Sequence, residues 1–128
     1  MSRVFVFPGQ GSQYIGMGRE LADAYPTARH VFQEVDDALN QKLFALMTNG
    51  AEGDLALTEN TQPALMAVSV AATRVVMEQS GKALPDLVSF VAGHSLGEYS
   101  ALTVAGTFDL ADCARLLKTR GRAMQAAV

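Results

Sequence analysis

The feature that most constrains this chain is the segment GHSLG at residues 93–97. A short apolar run at residues 88–91 precedes it, and a helix-compatible segment follows. This G-x-S-x-G pattern between strand and helix is typical of a nucleophile elbow, a sharp turn that presents a serine. Side chains in place of Gly93 and Gly97 would collide with the neighbouring strand and helix. The pattern predicts that Ser95 is a nucleophile. Free N–H groups at the start of the next helix would then lie near any oxyanion formed there. The alternative is an incidental serine in a glycine-rich turn.

Length and composition limit the class of protein. The 128 residues are enough for one domain, and 49% apolar with 18% charged residues is typical of a globular chain. A net charge of -3 without a basic cluster argues against nucleic-acid binding. No signal peptide or membrane span is predicted. Cys113 is the single cysteine, which excludes a disulfide within the chain and favours a cytoplasmic location.

Hydrophobic periodicity predicts an α/β fold. Residues 4–7 and 88–92 are predicted to be buried strands of one parallel sheet, with helices on both faces. Two strands are few for a sheet, so we expect further sequence to complete it. Helices are predicted at residues 17–25 and 26–39, with one further turn at 43–46. A central helix is predicted to be capped by Thr61, to have Pro63 in its first turn and to end near residue 79. Two more helices are predicted, one after residue 97 and one from the capping pair Asp109 and Asp112 to about residue 125. Residues 48–60 are predicted to be a loop with short helical turns.

A second glycine-rich segment, GQGSQ at residues 9–13, follows the first predicted strand. A dinucleotide fingerprint would need a glycine in place of Tyr14, and a phosphate loop would need glycine and lysine at residues 16–17. Neither pattern is met. The loop is therefore interpreted as a close approach of backbone to a ligand at the carboxyl end of a strand.

The last predicted helix places Arg120 on an apolar face, while Arg115, Lys118 and Arg122 point elsewhere. An arginine directed toward a core needs a partner, and its planar fork suits a carboxylate. A snorkelling arginine or an ordinary ion pair would explain the spacing equally well. The residues predicted to share this face are Cys113, Leu117, Arg120 and Met124. His30 lacks any metal-ligand spacing, and no metal site is expected.

Three motifs occur in one order: FPGQGSQ at residues 7–13, TQPA at residues 61–64 and GHSLGEY at residues 93–99, followed by Arg120 and Gly121. With them, the chain resembles the amino-terminal part of the malonyl-CoA:acyl-carrier-protein transacylases and of related acyltransferase domains in fatty-acid and polyketide synthases. The resemblance implies that residues 1–128 form the amino-terminal part of a hydrolase-like large α/β subdomain. An inserted small subdomain and a carboxyl-terminal part would lie outside the chain.

The resemblance also implies roles for individual residues. Ser95 would take a malonyl group from malonyl-CoA as an ester, and the phosphopantetheine thiol of acyl carrier protein would then attack that ester, in fatty-acid biosynthesis. The backbone N–H groups of Gln10 and Leu96 would form the oxyanion hole, and Arg120 would hold the malonyl carboxylate. The remaining substrate-binding positions would be Gln62, His94 and Met124. Coenzyme A and phosphopantetheine enter as parts of the substrates, so no separate cofactor, nucleic acid or membrane partner is expected.

One departure from the family concerns the general base. In the family this base is a histidine far downstream of the elbow, whereas His30 and His94 both precede Ser95. Adjacent residues on a sharp elbow project differently, so His94 is a poor candidate. We therefore expect a truncated portion of a longer enzyme, at most weakly active alone. Two other hypotheses remain. The first is a serine esterase or thioesterase of the α/β-hydrolase type, which explains neither the loop at residues 9–13 nor Arg120. The second is a non-catalytic fragment that binds carrier protein or coenzyme A.

Overall fold

Strand β1 (Val4–Phe7) lies parallel to β2 (Phe90–Gly93) in the computed structural model, which describes residues 2–127. Val4 is opposite Phe90, and Phe7 is opposite Gly93. The described helices are α1 (Arg19–Ala24), α2 (Pro26–Leu39), α3 (Leu43–Asn49), α4 (Glu52–Leu55), α5 (Thr58–Ser80), α6 (Leu84–Leu87), α7 (Gly97–Val104) and α8 (Leu110–Ala126). Since parallel strands need a crossover connection, α1 to α6 supply it. The predicted α/β fold with a parallel sheet and many helices is confirmed.

One face of the sheet is exposed. Strand residues in register point to the same face, so Val4, Val6 and Phe90 share it, and they are 50%, 70% and 69% exposed. The other face carries Phe7, which is buried, and α7 contacts both strands. The prediction of buried strands with helices on both faces is thus wrong for residues 2–127. An apolar run indicates a strand that a second layer covers, and these residues do not contain that layer.

The core lies between helices rather than against the sheet. Helix α5 is buried on nearly all sides, as expected for a central helix, and it packs against both α2 and α8. Gly121 of α8 allows a close crossing, since a Cβ there would lie 2.6 Å from the Glu59 Cα of α5. The side chains that fill this core include Val31, Phe32, Val35, Met66, Ala67, Val70, Cys113 and Leu117. This packing therefore holds α5 and α8 in a fixed position relative to each other.

The start of α5 differs from its prediction. The helix begins at Thr58, and Pro63 lies inside it. The hydroxyl of Thr61 does not cap the helix; it donates to the carbonyls of Leu55 and Leu57. Proline lacks an N–H, so its position at a helix start is favourable, but an interior proline is tolerated where tertiary contacts hold the helix. The additional turn brings Glu59 beside α8, where it forms ion pairs.

The shorter elements also deviate from the expected ranges. Helix α3 extends beyond the predicted single turn, and Asp36 accepts a hydrogen bond from the Phe44 N–H at its start (3.0 Å). Helix α4 lies in the segment predicted as a loop with short helical turns, and α6 lies between the predicted central helix and the second predicted strand. Asp109 stands at the N-cap of α8 without a side-chain capping bond, and Asp112 pairs with Arg115 instead. Such local differences leave the predicted order of strands and long helices intact.

The buried stripe of α8 is shifted from the predicted one. Lys118, predicted to point away, is only 8% exposed, whereas Arg120 is half-buried at the edge of the stripe and Met124 is exposed. The buried residues of the helix are Leu110, Cys113, Ala114, Leu117, Lys118 and Gly121. The helical spacing thus predicted the wrong side for Lys118. A buried ammonium is stable where acceptors meet each of its hydrogens.

Three acceptors surround the Lys118 Nζ atom. They are Gln41 Oε1 at 2.8 Å, Asn60 Oδ1 at 2.9 Å and Glu59 Oε2 at 3.3 Å. The Asn60 amide also donates to the Asp54 carbonyl at 2.9 Å. Lys118 therefore joins α8 to the start of α5 and to the loop after α2.

Replacing Lys118 with methionine is expected to lower the free energy of unfolding by about 1–3 kcal/mol, because polar groups at the start of α5 lose a buried donor. Urea unfolding of the 128-residue chain measures this. The matched control is Arg115→Met on the same helix: Arg115 pairs with Asp112 at 3.0 Å, with side chains 56% and 71% exposed, so its loss should be within about 0.5 kcal/mol. Equal losses for the two variants would contradict the structural role of Lys118.

Candidate active site

Ser95 lies at the turn between β2 and α7 with a φ of 57°, a left-handed conformation that is uncommon outside glycine. A Cβ at Gly93 would overlap the backbone of Gly97, and a Cβ at Gly97 would overlap the carbonyl of Phe7. Both glycines are thus required by the close packing of strand, turn and helix. A serine in strained backbone at this position has the geometry of a nucleophile elbow.

The loop after β1 packs against the elbow. A Cβ at Gly9 would lie 2.7 Å from the carbonyl oxygen of His94, and the His94 N–H donates to the Phe7 carbonyl at 3.3 Å. Gln10 follows directly, and within residues 2–127 neither its N–H nor that of Leu96 donates a hydrogen bond. The assignment of these two N–H groups to an oxyanion hole stays a prediction, which their location at the carboxyl ends of the strands supports.

Arg120 reaches the elbow from α8. Its Nη1 donates to Gln62 Oε1 at 2.8 Å, and its Nη2 donates to Ser95 Oγ at 3.4 Å. Gln62 is fully buried, and its Nε2 lies 3.2 Å from Met124 Sδ. Within the described residues Arg120 forms no ion pair. An ion pair within the described residues therefore does not explain the position of Arg120. Its guanidinium can bind an anion beside the serine hydroxyl.

Neither histidine is bonded to the serine. The exposed His94 directs Nδ1 toward Gly9, 3.0 Å from where a Cβ would stand, and His30 lies exposed on α2. No hydrogen bond joins Ser95 to His30 or His94 in the described part of the chain. That His94 is a poor general base stays a prediction, which the absence of a bond to Ser95 within residues 2–127 supports.

Tyr99 is a site residue to which the sequence patterns assigned no role. The Cζ atom of Arg120 lies over its ring, 5.3 Å from the centroid. The available signal was proximity in sequence: Tyr99 ends the GHSLGEY motif, four residues after Ser95. Burial raises the pKa of the nearby Cys113 thiol, which disfavours the thiolate form that a nucleophile needs.

Gly97→Ala is expected to lower the free energy of unfolding by about 1–3 kcal/mol, since the added methyl group meets the rigid backbone of Phe7. The midpoint of denaturant unfolding measures the effect. Gly53→Ala is the control, because a Cβ at Gly53 has no atom within 4 Å. Should Gly97→Ala be as stable as this control, the close packing of the elbow would be disproved.

The fold and the site define a class, that of α/β proteins with a serine on a strand–turn–helix elbow. Comparisons with known proteins assign the chain to one family within this class. The acyl transferase domain family matches residues 4–128. The chain is 50% identical over 124 residues to the malonyl CoA-acyl carrier protein transacylase of Escherichia coli (strain K12), covering 97% of this chain and 39% of that protein. It is 46% identical over 129 residues to the transacylase of the same name from Bacillus subtilis (strain 168), covering 100% and 39%.

Comparison with solved structures gives the same result as comparison with the curated sequences. The acyl-carrier-protein-S-malonyltransferase of Bartonella henselae superimposes with a TM-score of 0.96 at 61% identity, over 100% of this chain and 40% of that one. A malonyl-transacylase in complex with a type II PKS acyl-carrier protein gives 0.92 at 49% identity, with 100% and 40% coverage. The chain belongs to the acyl transferase domain family. It spans about 39% of the length of the curated relatives described above. Across the described residues, no helix is both long enough and apolar enough to span a membrane.

Proposed function

We propose that this chain carries the nucleophile and the carboxylate-binding arginine of an enzyme that transfers a malonyl group from malonyl-CoA to acyl carrier protein, in fatty-acid biosynthesis. The observation that carries the proposal is the half-buried Arg120, whose Nη2 lies 3.4 Å from Ser95 Oγ and which has no carboxylate partner within residues 2–127. A malonyl thioester has a reactive carbonyl and a carboxylate separated by one methylene. A serine next to an arginine matches both ends of that group.

In the proposed reaction, Ser95 Oγ attacks the thioester carbonyl and its proton passes to a general base. The N–H groups of Gln10 and Leu96 stabilise the resulting oxyanion, and collapse of the intermediate expels the coenzyme A thiolate. The phosphopantetheine thiol of acyl carrier protein then attacks the malonyl-serine ester, which releases Ser95 and completes a ping-pong transfer. Arg120 and the buried Gln62 hold the malonyl carboxylate throughout, with His94 and Met124 at the edge of the pocket.

The proposal includes a place for the chain within a larger enzyme. Residues 1–128 correspond to the amino-terminal part of the large subdomain, and the inserted small subdomain and carboxyl-terminal part supply the remaining layer and the general base. The 39% coverage of the relatives and the exposed Val4, Val6 and Phe90 support this assignment. The isolated chain is accordingly expected to be inactive or weakly active. A cytoplasmic location belongs to the proposal and is supported by the single cysteine.

The esterase hypothesis is less well supported. The elbow is compatible with it, but a neutral ester needs no cation beside the nucleophile, whereas Arg120 is held there by a buried glutamine. A role limited to binding carrier protein or coenzyme A is the expectation for the isolated chain, since neither of its histidines is bonded to Ser95 within residues 2–127.

A chimeric enzyme tests the proposal: residues 4–127 of this chain replace the matching segment of the E. coli transacylase. Incubation with malonyl-CoA and acyl carrier protein is expected to give malonyl carrier protein, detected by mass spectrometry. Hydrolysis of simple esters without transfer to the carrier protein would show an esterase. Binding of carrier protein without acylation of the chimera would show a non-catalytic segment.

A further inference from the structure

The guanidinium of Arg120 has contacts of two kinds. Its N–H groups donate at the edge of the plane to Gln62 and Ser95, at 2.8 and 3.4 Å. The Tyr99 ring contacts it differently, with Cζ over the ring at 5.3 Å from the centroid. That distance is within the range of about 6 Å over which a cation is attracted to an aromatic face.

These contacts respond differently to a substrate. In the proposed function, on which this inference rests, a malonyl carboxylate takes N–H groups of Arg120, and acylation removes the Ser95 hydroxyl. The attraction of the Tyr99 ring uses no N–H group, so it persists when the carboxylate binds. It holds the arginine without occupying any of the N–H groups that the substrate uses.

The ring is itself held in place. Tyr99 stacks on Phe108 with centroids 6.3 Å apart, and its carbonyl accepts hydrogen bonds from Thr103 Oγ1 at 2.8 Å and Cys113 Sγ at 3.8 Å. The Tyr99 hydroxyl forms no hydrogen bond within residues 2–127. The ring, rather than the hydroxyl, is therefore the part of Tyr99 that acts on the arginine.

We propose that Tyr99 is a positioning residue for Arg120, keeping the edge of the guanidinium directed at the acyl group on Ser95. Tyr99 lies in the first turn of α7, directly after the nucleophile, so one short segment sets both the serine and the plane of the arginine. Without the ring, the long arginine side chain gains rotamers, and binding of the malonyl carboxylate must order it again. Tyr99 thereby contributes to the preference for a dicarboxylic over a monocarboxylic acyl group.

The experiment compares Tyr99→Leu, Tyr99→Phe and Leu102→Ala in the chimeric enzyme. Tyr99→Leu is expected to lower the ratio of kcat/KM for malonyl-CoA to kcat/KM for acetyl-CoA roughly five- to thirty-fold, a change that matches the usual strength of a cation–aromatic contact. Tyr99→Phe keeps the aromatic face and should retain the malonyl preference. Leu102→Ala truncates an exposed side chain on the same helix α7 and should leave the malonyl-to-acetyl ratio unchanged.

Equal losses for malonyl and acetyl in Tyr99→Leu would overturn the proposal, as would a Phe variant that behaves like the Leu variant. A second measurement on the chimeric enzyme needs no turnover: the ring current of Tyr99 should shift the Arg120 guanidinium resonances, and Tyr99→Leu should abolish the shift. An absent shift in the unsubstituted chimera would also overturn it. A chimera that transfers no malonyl group would instead contradict the proposed function, while the resonance measurement would still decide the contact.

Discussion

Ser95→Ala in the chimeric enzyme is expected to abolish the covalent malonyl adduct and to lower transfer to acyl carrier protein by roughly 10³-fold or more, as is typical for loss of a serine nucleophile. The physical reason is that no ester can form without the hydroxyl oxygen, whatever binding energy the site retains. Intact-mass measurement after brief incubation with malonyl-CoA detects the adduct directly.

Ser100→Ala is the matched control for this variant. Ser100 lies on the same helix α7, is fully buried, and its hydroxyl has no hydrogen-bond partner within residues 2–127. Its removal costs no hydrogen bond, so the adduct should form normally. A malonyl adduct that persists in Ser95→Ala would place the nucleophile elsewhere in the chain.

Arg120→Ala is expected to reduce malonyl transfer about 10²-fold or more relative to acetyl transfer. A carboxylate left in a half-buried site without its cation is destabilised by a few kcal/mol, and each factor of ten corresponds to about 1.4 kcal/mol. Acetyl lacks the second carboxylate and should be affected much less. Steady-state kcat/KM values for malonyl-CoA and acetyl-CoA give the ratio.

Arg115→Ala serves as the control, because Arg115 lies on the same helix but is exposed and pairs with Asp112. Its ratio of malonyl to acetyl transfer should equal that of the unsubstituted chimera. If Arg120→Ala lowered both transfers equally, the arginine would have a structural role, in which its bond to Gln62 joins α8 to α5.

The elbow and the order of the main elements could be predicted from sequence because their signals are local. The glycines flanking Ser95, the apolar strands and Gly81 at the end of α5 each specify a backbone conformation within a few residues. Arg120 was recognised as unusual for a similar reason: an arginine beside apolar residues at helical spacing needs a partner. Within the described chain that partner is the buried Gln62, and it could not be predicted because the contact depends on the packing of α5 against α8.

The differences arise where tertiary contacts override local preference. Pro63 indicated a helix start, yet α5 begins earlier because contacts with α8 stabilise the preceding turn. Lys118 was predicted to face away from the core, and it is buried because residues distant in sequence supply its acceptors. The contact between Tyr99 and Arg120 likewise joins two helices whose crossing no pattern within either helix specifies.

The uncovered sheet has a consequence for handling these 128 residues by themselves. With two strands in the described chain, β1 and β2 each have one edge without a strand neighbour, next to a face that exposes Val6 and Phe90. Unpaired edges beside apolar side chains are templates for intermolecular strand pairing. Concentrated samples of this segment alone should therefore favour aggregates, so its unfolding is measured in dilute solution, and co-expression with the remainder of a transacylase is the route to concentrated samples.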